Sequence, residues 1–378
     1  MKPQLNAQLQ SQLDHIRNFF STHYPSVRLY LVGGAVRDMV MGREVYDLDI
    51  ECYGIGEEAF HEAMERLGAK GVGRSFFVYK WGDIDLSLPR TERKVGRGHR
   101  GFEVRLAHDT KEASRRRDFT MNALMLDLQT GEIVDHWGGL EDIRRRRIRV
   151  VDPATFVEDS LRVLRAMQFC ARLRFRVERK SRDLMCKMDL DDLTPERIFR
   201  EFEKMFEAPH LHYGLFAMAD LGIDKRVLFV AIGPADFRRM ARHMVRARKC
   251  ADPHMRPYLF LYILACDLHL NAGKLCERIH TPNLYKKILG YQKCVPSRMT
   301  DRFLGALALR HPLRQWLGIY ADSAAERAKR LGIYQERFDP GIRPADLLEE
   351  GYTGRALGEE LKARIRREVR RRFSKEVV

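Results

Sequence analysis

The sequence predicts an α+β protein, with a mixed sheet-and-helix unit first and an all-helical region after it, and three features of the patterning lead there. Up to about residue 150, short apolar runs with period-two alternation take turns with stretches of helical period. From residue 154 onward helical periodicity dominates, broken by Pro195, Pro209, Pro234, Pro282 and Pro312. Between them Val150, Val151, Asp152 and Pro153 close the first part, and 378 residues exceed what one hydrophobic core usually organises.

Residues 1–25 form an amphipathic helical segment, and residues 26–150 hold the mixed unit. In that unit the apolar run VRLYLV at 27–32 reads as a strand entering Gly33-Gly34, followed by a helix at 35–41. Residues 46–52 alternate as a strand, 57–67 have helical period, and 76–88 read as two strands turning at Trp81-Gly82. Residues 151–210 begin the helical part, and 211–378 continue it without an internal repeat.

The 68 Lys and Arg against 52 Asp and Glu leave a net charge of +16, a surplus that attracts polyanions and makes nucleic acid the first partner to consider. The charge is concentrated at 90–117, 144–149 and 362–375. The longest apolar run, 258–266, is far short of the ~20 residues of a spanning helix, and the start MKPQLNAQLQSQ lacks an apolar signal core, so no membrane is expected and the cytoplasm is the expected compartment. Seven scattered cysteines without a CxxC pair indicate reduced thiols, neither a disulfide framework nor a zinc site.

The chemistry concentrates early. In YDLDIEC, strand alternation turns Asp47 and Asp49 to one side and Leu48 and Ile50 to the other. Two carboxylates that converge repel each other unless a divalent cation lies between them, and oxygen donors of this kind suit Mg2+. Asp85, on the strand of the next hairpin, is a candidate third catalytic carboxylate, with Asp83 and Ser87 on its face. Upstream, LVGGAVRD sets Gly33 and Gly34 between a strand and a helix, where backbone N–H groups can approach phosphate oxygens, and Arg37 follows one turn later.

Together, LVGGAVRD and YDLDIE, RRRDFTMNAL at 115–124 and EDSLRVLRAMQF at 158–169 resemble the class II tRNA nucleotidyltransferases, the CCA-adding enzymes of the polymerase-β superfamily, over about residues 28–207. RPADLLEEGYTGRALGEEL at 343–361 is similar to the tail of that family. The resemblance implies a polymerase-β-type nucleotidyltransferase head, then an all-helical neck, body and tail that hold the acceptor arm of tRNA. It implies metal binding by Asp47 and Asp49, and nucleotide contacts by Gly34 and its neighbour Gly33, by Arg37 and by Arg117. Asp118 is expected to orient Arg117 or to read the ribose. No protein partner is evident.

On the helical reading of the neck, Asp159 and Arg162 are neighbours on one helix face, with Arg165 a turn further and Leu161, Leu164 and Met167 opposite. A carboxylate accepts and a guanidinium donates. Cytosine and adenine both offer an amino donor beside a ring-nitrogen acceptor, whereas guanine and uracil present a carbonyl there, so an Asp–Arg pair suits C and A from CTP and ATP. The resemblance implies the same base-reading role; where the family often has another arginine this chain has Gln168.

Poly(A)-adding relatives typically carry GRRF after the catalytic strand, where this chain has GRSFF at 73–77, which favours tRNA maturation. The Gly-rich basic stretch at 90–105 is expected to be a mobile loop that in the family serves the switch from C to A addition, and CC-only enzymes are shortened there. Full CCA addition is thus expected, with terminal-A addition alone as the alternative, and polyadenylation or RNA binding without catalysis behind them. Scattered His and Asp in the second half predict no hydrolase activity.

Overall fold

A computed structural model describes residues 5–73, 77–94 and 102–373, which fall into two compact units, 1–194 and 195–378. Residues 74–76, within the GRSFF segment, and 95–101 lie outside the described residues.

The first unit opens with α1 (Ala7–His23), which buries Leu9, Leu13, Ile16 and Phe20 at helical spacing and is capped by Asn6. Then come β1 (Arg28–Val32), α2 (Gly34–Val40), β2 (Leu48–Tyr53), α3 (Glu57–Leu67), β3 (Lys70–Gly73), β4 (Val78–Trp81) and β5 (Ile84–Ser87). After β6 (Arg90–Lys94), β7 (Phe102–Leu106) and α4 (Thr110–Arg115), the chain forms β8 (Met125–Asp127), β9 (Ile133–Val134), α5 (Gly139–Arg144) and β10 (Arg147–Ile148). It continues through α6 (Pro153–Phe156), α7 (Leu161–Leu173), β11 (Arg176–Val177) and α8 (Arg179–Met185).

Seven strands form one mixed sheet in the order β3-β4-β5-β2-β1-β8-β9, with β2 and β5 parallel and every other neighbour antiparallel. The register sets Asp49 beside Asp85 and Leu31 beside Ile50. Alternation then divides the faces: Leu29, Leu31, Leu48, Ile50, Ile84 and Leu86 are buried on one, while Asp49, Glu51, Asp85 and Ser87 share the other.

The N-terminal helix is tied to the β4–β5 hairpin. His15 stacks on Trp81 with ring centroids 4.9 Å apart, Gln8 donates to Asp83 at 2.9 Å, and the Gln12 side chain fills the space above Gly82, where φ is +61°. Asp83 therefore serves this contact. The stretch expected to be a loop at 90–105 is instead founded on an antiparallel ribbon, with β6 paired to β7 from Arg90↔Leu106 to Lys94↔Phe102, because Thr91 and Val104 lie in runs that can extend.

The arginine run at 144–149 is also not the free basic patch its composition suggests. Arg144 and Arg145 pair with Glu141, and Arg147 and Arg149 donate to the fully buried Asp142 at 2.7 Å each. Thr120 donates to the same carboxylate at 2.6 Å, so Asp142 ties α5 and β10 to the segment that follows α4.

The second unit is helical: α9 (Pro195–Phe206), α10 (Leu211–Asp220), α11 (Ile223–Arg226), α12 (Pro234–Cys250), α13 (Leu259–Asp267), α14 (Ala272–Arg278), α15 (Asn283–Tyr291), α16 (Asp301–Ala308), α17 (Ala324–Arg330), α18 (Pro344–Glu349) and α19 (Gly354–Phe373). One core gathers Leu304, Leu313, Trp316, Ile319, Val369 and Phe373, so the last helix is anchored by its apolar stripe. Cys266 and Cys294 form a disulfide, correcting the expectation of reduced thiols throughout; a helix residue and a loop residue 28 positions apart meet only in the fold. Among the described residues no helix is long and apolar enough to cross a membrane.

Candidate active site

At the end of β1 Gly33 has φ +73°, a conformation other residues rarely adopt, and α2 begins at the next residue. Asp47 and Asp49 are exposed, Asp47 just before β2 and Asp49 on it, while Asp85 is half-buried on the neighbouring strand. The protein around Asp49 desolvates its carboxyl and raises its pKa; Arg117 opposes this, and the charges of Asp47, Asp85 and Glu51 add to it. Asp85 Oδ1 is buried with no hydrogen-bond partner.

These are the marks of a site fitted to a cation, which would relieve both the crowded charge and the orphaned oxygen. Among the described residues no three His, Cys, Asp or Glu side chains are gathered closely enough to form a ready-made cage. The fit is therefore that of an open carboxylate pair with Asp85 beside it.

Arg117 lies across this face. Its Nη2 donates to Glu51 at 2.8 Å, and its Nη1 is 3.3 Å from where a side chain would begin on Gly33. Burial works against the Arg117 charge, but Glu51 and Asp49 more than offset it and hold its pKa above the ordinary arginine value. Glu51, itself buried, also has Arg116 at 3.5 Å and accepts from the Tyr53 hydroxyl at 2.9 Å. The sequence reading missed Glu51, although its spacing of two from Asp49 placed it on the same face.

Arg37 is 3% exposed. It donates to Asp38 at 3.0 and 2.7 Å and to Asn122 at 2.6 Å, and its guanidinium covers the Phe169 ring at 5.2 Å. As found, it holds the start of α2 against the residues after Arg117. Asn122 passes the connection on, donating to Asp118 at 2.9 Å.

Asp118 orients Arg165, not Arg117: Arg165 Nε donates to it at 2.7 Å and the Arg165 guanidinium also lies over the Phe169 ring, at 5.4 Å. Burial alone would raise the Asp118 pKa, yet the nearby Arg165, the Asn122 amide and Arg162 hold it below the usual carboxylate value. Arg37, Asn122, Asp118 and Arg165 thus form one chain from the glycine turn to α7.

The neck differs from its prediction at Asp159, and at Leu161, which is half-buried while Val163 takes its place on the buried side. Helix α7 starts at Leu161, so Asp159 lies in the turn between α6 and α7, where its carboxylate caps the Leu161 N–H at 3.2 Å. Proline-led α6 ends at Phe156 and the intervening turn breaks the helix that the spacing suggested. Arg162 donates to the carbonyls of Thr155 and Arg116 at 2.8 Å each, and Val163, Leu164 and Met167 are buried opposite. Gln168 is buried and accepts from Arg172 at 3.4 Å.

Residues 29–149 match the family model of the poly A polymerase head domain, and 174–228 that of a probable RNA and SrmB-binding site of polymerase A. A "Multifunctional CCA protein" of Stenotrophomonas maltophilia strain R551-3 is 45% identical over 190 residues, 47% of this chain and 45% of that one. Another, of Xanthomonas euvesicatoria pv. vesicatoria strain 85-10, is 41% identical over 421 aligned residues, 90% of this chain and 97% of its own. The match thus spans about half the length of the first relative and nearly all of the second. Among solved structures, the Bacillus stearothermophilus CCA-adding enzyme in complex with CTP aligns with TM-score 0.65 and 24% identity over 97% of this chain and 93% of that one. An apo CCA-adding enzyme reaches TM-score 0.68 at 20% identity over 97% and 92%, a likeness of fold. On 41% identity across nearly the full length of a CCA protein and on the matched head domain, the chain belongs to the class II tRNA nucleotidyltransferase and poly(A) polymerase family.

Proposed function

We propose that the chain is a cytoplasmic tRNA nucleotidyltransferase that adds C and A, from CTP and ATP, to the 3′ end of tRNA without a nucleic-acid template. The observation that carries this reading is the convergence, in one unit, of an open acidic pair at Asp47 and Asp49, Arg117 across the Gly33 turn, and a guanidinium chain running to Arg165. The relatives' names and the CTP complex of a structural neighbour support it.

In this reading Asp47 and Asp49, with Asp85 adjacent, would hold Mg2+. When bound, the metal lowers the pKa of the attacking hydroxyl and neutralises charge on the triphosphate. The RNA 3′-oxygen attacks the α-phosphorus, the bond from that phosphorus to the β-phosphate bridge breaks, and pyrophosphate leaves. Arg117 draws the phosphates towards the Gly33–Gly34 turn, and Arg37 keeps the turn and α2 in place. Asp159 accepts a hydrogen bond from the amino group common to C and A, while Arg162 and Arg165 donate to the base or hold its pocket. The acceptor arm of tRNA is the partner, held by the positive surface in a salt-dependent way.

Incubation with Mg2+, labelled CTP or ATP, and tRNA ending before CCA, after C or after CC tests the reading. C incorporation on the first two acceptors and A on the third is expected. A alone on the third marks a terminal-A enzyme, long A tracts mark polyadenylation, and no incorporation with any acceptor removes the enzymatic reading.

A further inference from the structure

The carboxylate of Glu51 is out of place by charge alone. It is 2% exposed on the face of β2 that carries Asp49, beside Asp47 and Asp85, where a polyanionic triphosphate must be received. A fourth negative charge there, and a buried one, works against the substrate unless it is matched, and it is matched by two arginines and a hydroxyl: Arg117, Arg116 and Tyr53. The set of Glu51, Arg116 and Arg117 keeps one net positive charge.

Its geometry has a direction. Glu51 takes Nη2 of Arg117, and Nη1 of the same guanidinium is left against the Gly33 turn. An arginine has four side-chain torsions to fix before it can hold a phosphate, and a carboxylate that fixes them beforehand lowers the entropic cost of binding. The Tyr53 hydroxyl in turn holds the other oxygen of Glu51, and its ring packs edge-on against Tyr30 at 5.2 Å, so the carboxylate has one orientation.

We propose that Glu51 is a positioning residue for the nucleotide: through Arg117 it presets the guanidinium that receives the triphosphate, and Tyr53 locks it. The proposal rests on the reading that Arg117 contacts the triphosphate. It concerns affinity for the part that CTP and ATP share, not choice between bases.

The full chain carrying Glu51→Gln, Tyr53→Phe, Arg117→Ala, or Glu51→Gln with Arg117→Ala is compared with the wild type. Equilibrium binding of CTP, ATP and inorganic tripolyphosphate is measured, with KM and kcat for incorporation. Glu51→Gln is expected to weaken all three ligands about tenfold, the value of one charge-assisted contact. It should raise both KM values while kcat at saturation and the preference over GTP and UTP change far less. The double variant should bind no more weakly than Arg117→Ala alone, since both changes act on one contact. Tyr53→Phe should shift the same parameters in the same direction by less, and it keeps the test open should Glu51→Gln fail to fold. If Arg117→Ala weakens binding while Glu51→Gln and Tyr53→Phe do not, the positioning role is wrong and the proposed function stands. If Arg117→Ala leaves tripolyphosphate binding intact while C and A are still added, the triphosphate role of Arg117 falls, and the proposal with it.

Discussion

Replacing Asp118 by asparagine tests the polar chain at its centre. In the native side chain one oxygen accepts from the Phe119 N–H at 2.7 Å and the Asn122 amide at 2.9 Å, and the other accepts from Arg165 at 2.7 Å. An asparagine keeps one acceptor oxygen, so if it serves Phe119 and Asn122, its amide must face the Arg165 guanidinium, donor against donor. Breaking a buried charged pair costs about 3–5 kcal/mol; because the Arg165 side chain is 33% exposed and can be rehydrated, about 2–3 kcal/mol is expected. For a unit of this size that lowers Tm by about 5–10 °C at neutral pH. The sign with pH follows from the depressed pKa of Asp118. Its stabilisation is complete above the ordinary aspartate value and is lost as the pH falls through the lower native value, so the gap between wild type and variant must shrink on acidification. Thermal unfolding of both proteins followed by circular dichroism measures this. Equal Tm values at pH 7, or a gap that widens as the solution is acidified, refute the role given to Asp118.

Asp49→Asn should reduce incorporation by about a thousandfold, the scale of the several kcal/mol a catalytic metal supplies, with tRNA affinity nearly unchanged in filter binding. Gly139→Ala should destabilise the first unit by about 2–3 kcal/mol in a denaturant melt, since its Cβ would lie 2.3 Å from the Thr120 carbonyl oxygen, which the backbone cannot yield without moving the segment that Asp142 ties down. Under non-reducing denaturation, alkylation should label five cysteines, and all seven after dithiothreitol; seven labels before reduction contradict the Cys266–Cys294 bond.

What the sequence made legible was local. Helix α3 occupies the residues its periodicity marked, 57–67, and the alternation of YDLDIE separated Asp47 and Asp49 from Leu48 and Ile50, because one buried face forces register. The pairing of Arg144 and Arg145 with Glu141 was also within reach, at spacings of three and four on one helix. Contacts that fix the site were not. Arg37 meets Asn122 across 85 residues and Arg165 meets Asp118 across 47, and no local pattern announces either partner. Asp159 misled for a different reason: spacing of three suits a helix, but α6 ends at Phe156 and a turn intervenes, so the residue caps α7 from outside. The disulfide was hidden in the same way, with Cys266 at the end of α13 and Cys294 beyond α15.

The most direct test of the central claim is a crystal structure of the full chain with Mg2+ and a non-hydrolysable CTP analogue. The account predicts phosphates between the Gly33 turn and Arg117, metal density at Asp47 and Asp49, and the base amino group within hydrogen-bond distance of Asp159. Phosphates bound away from Arg117, or a base that touches neither Asp159 nor α7, would contradict it.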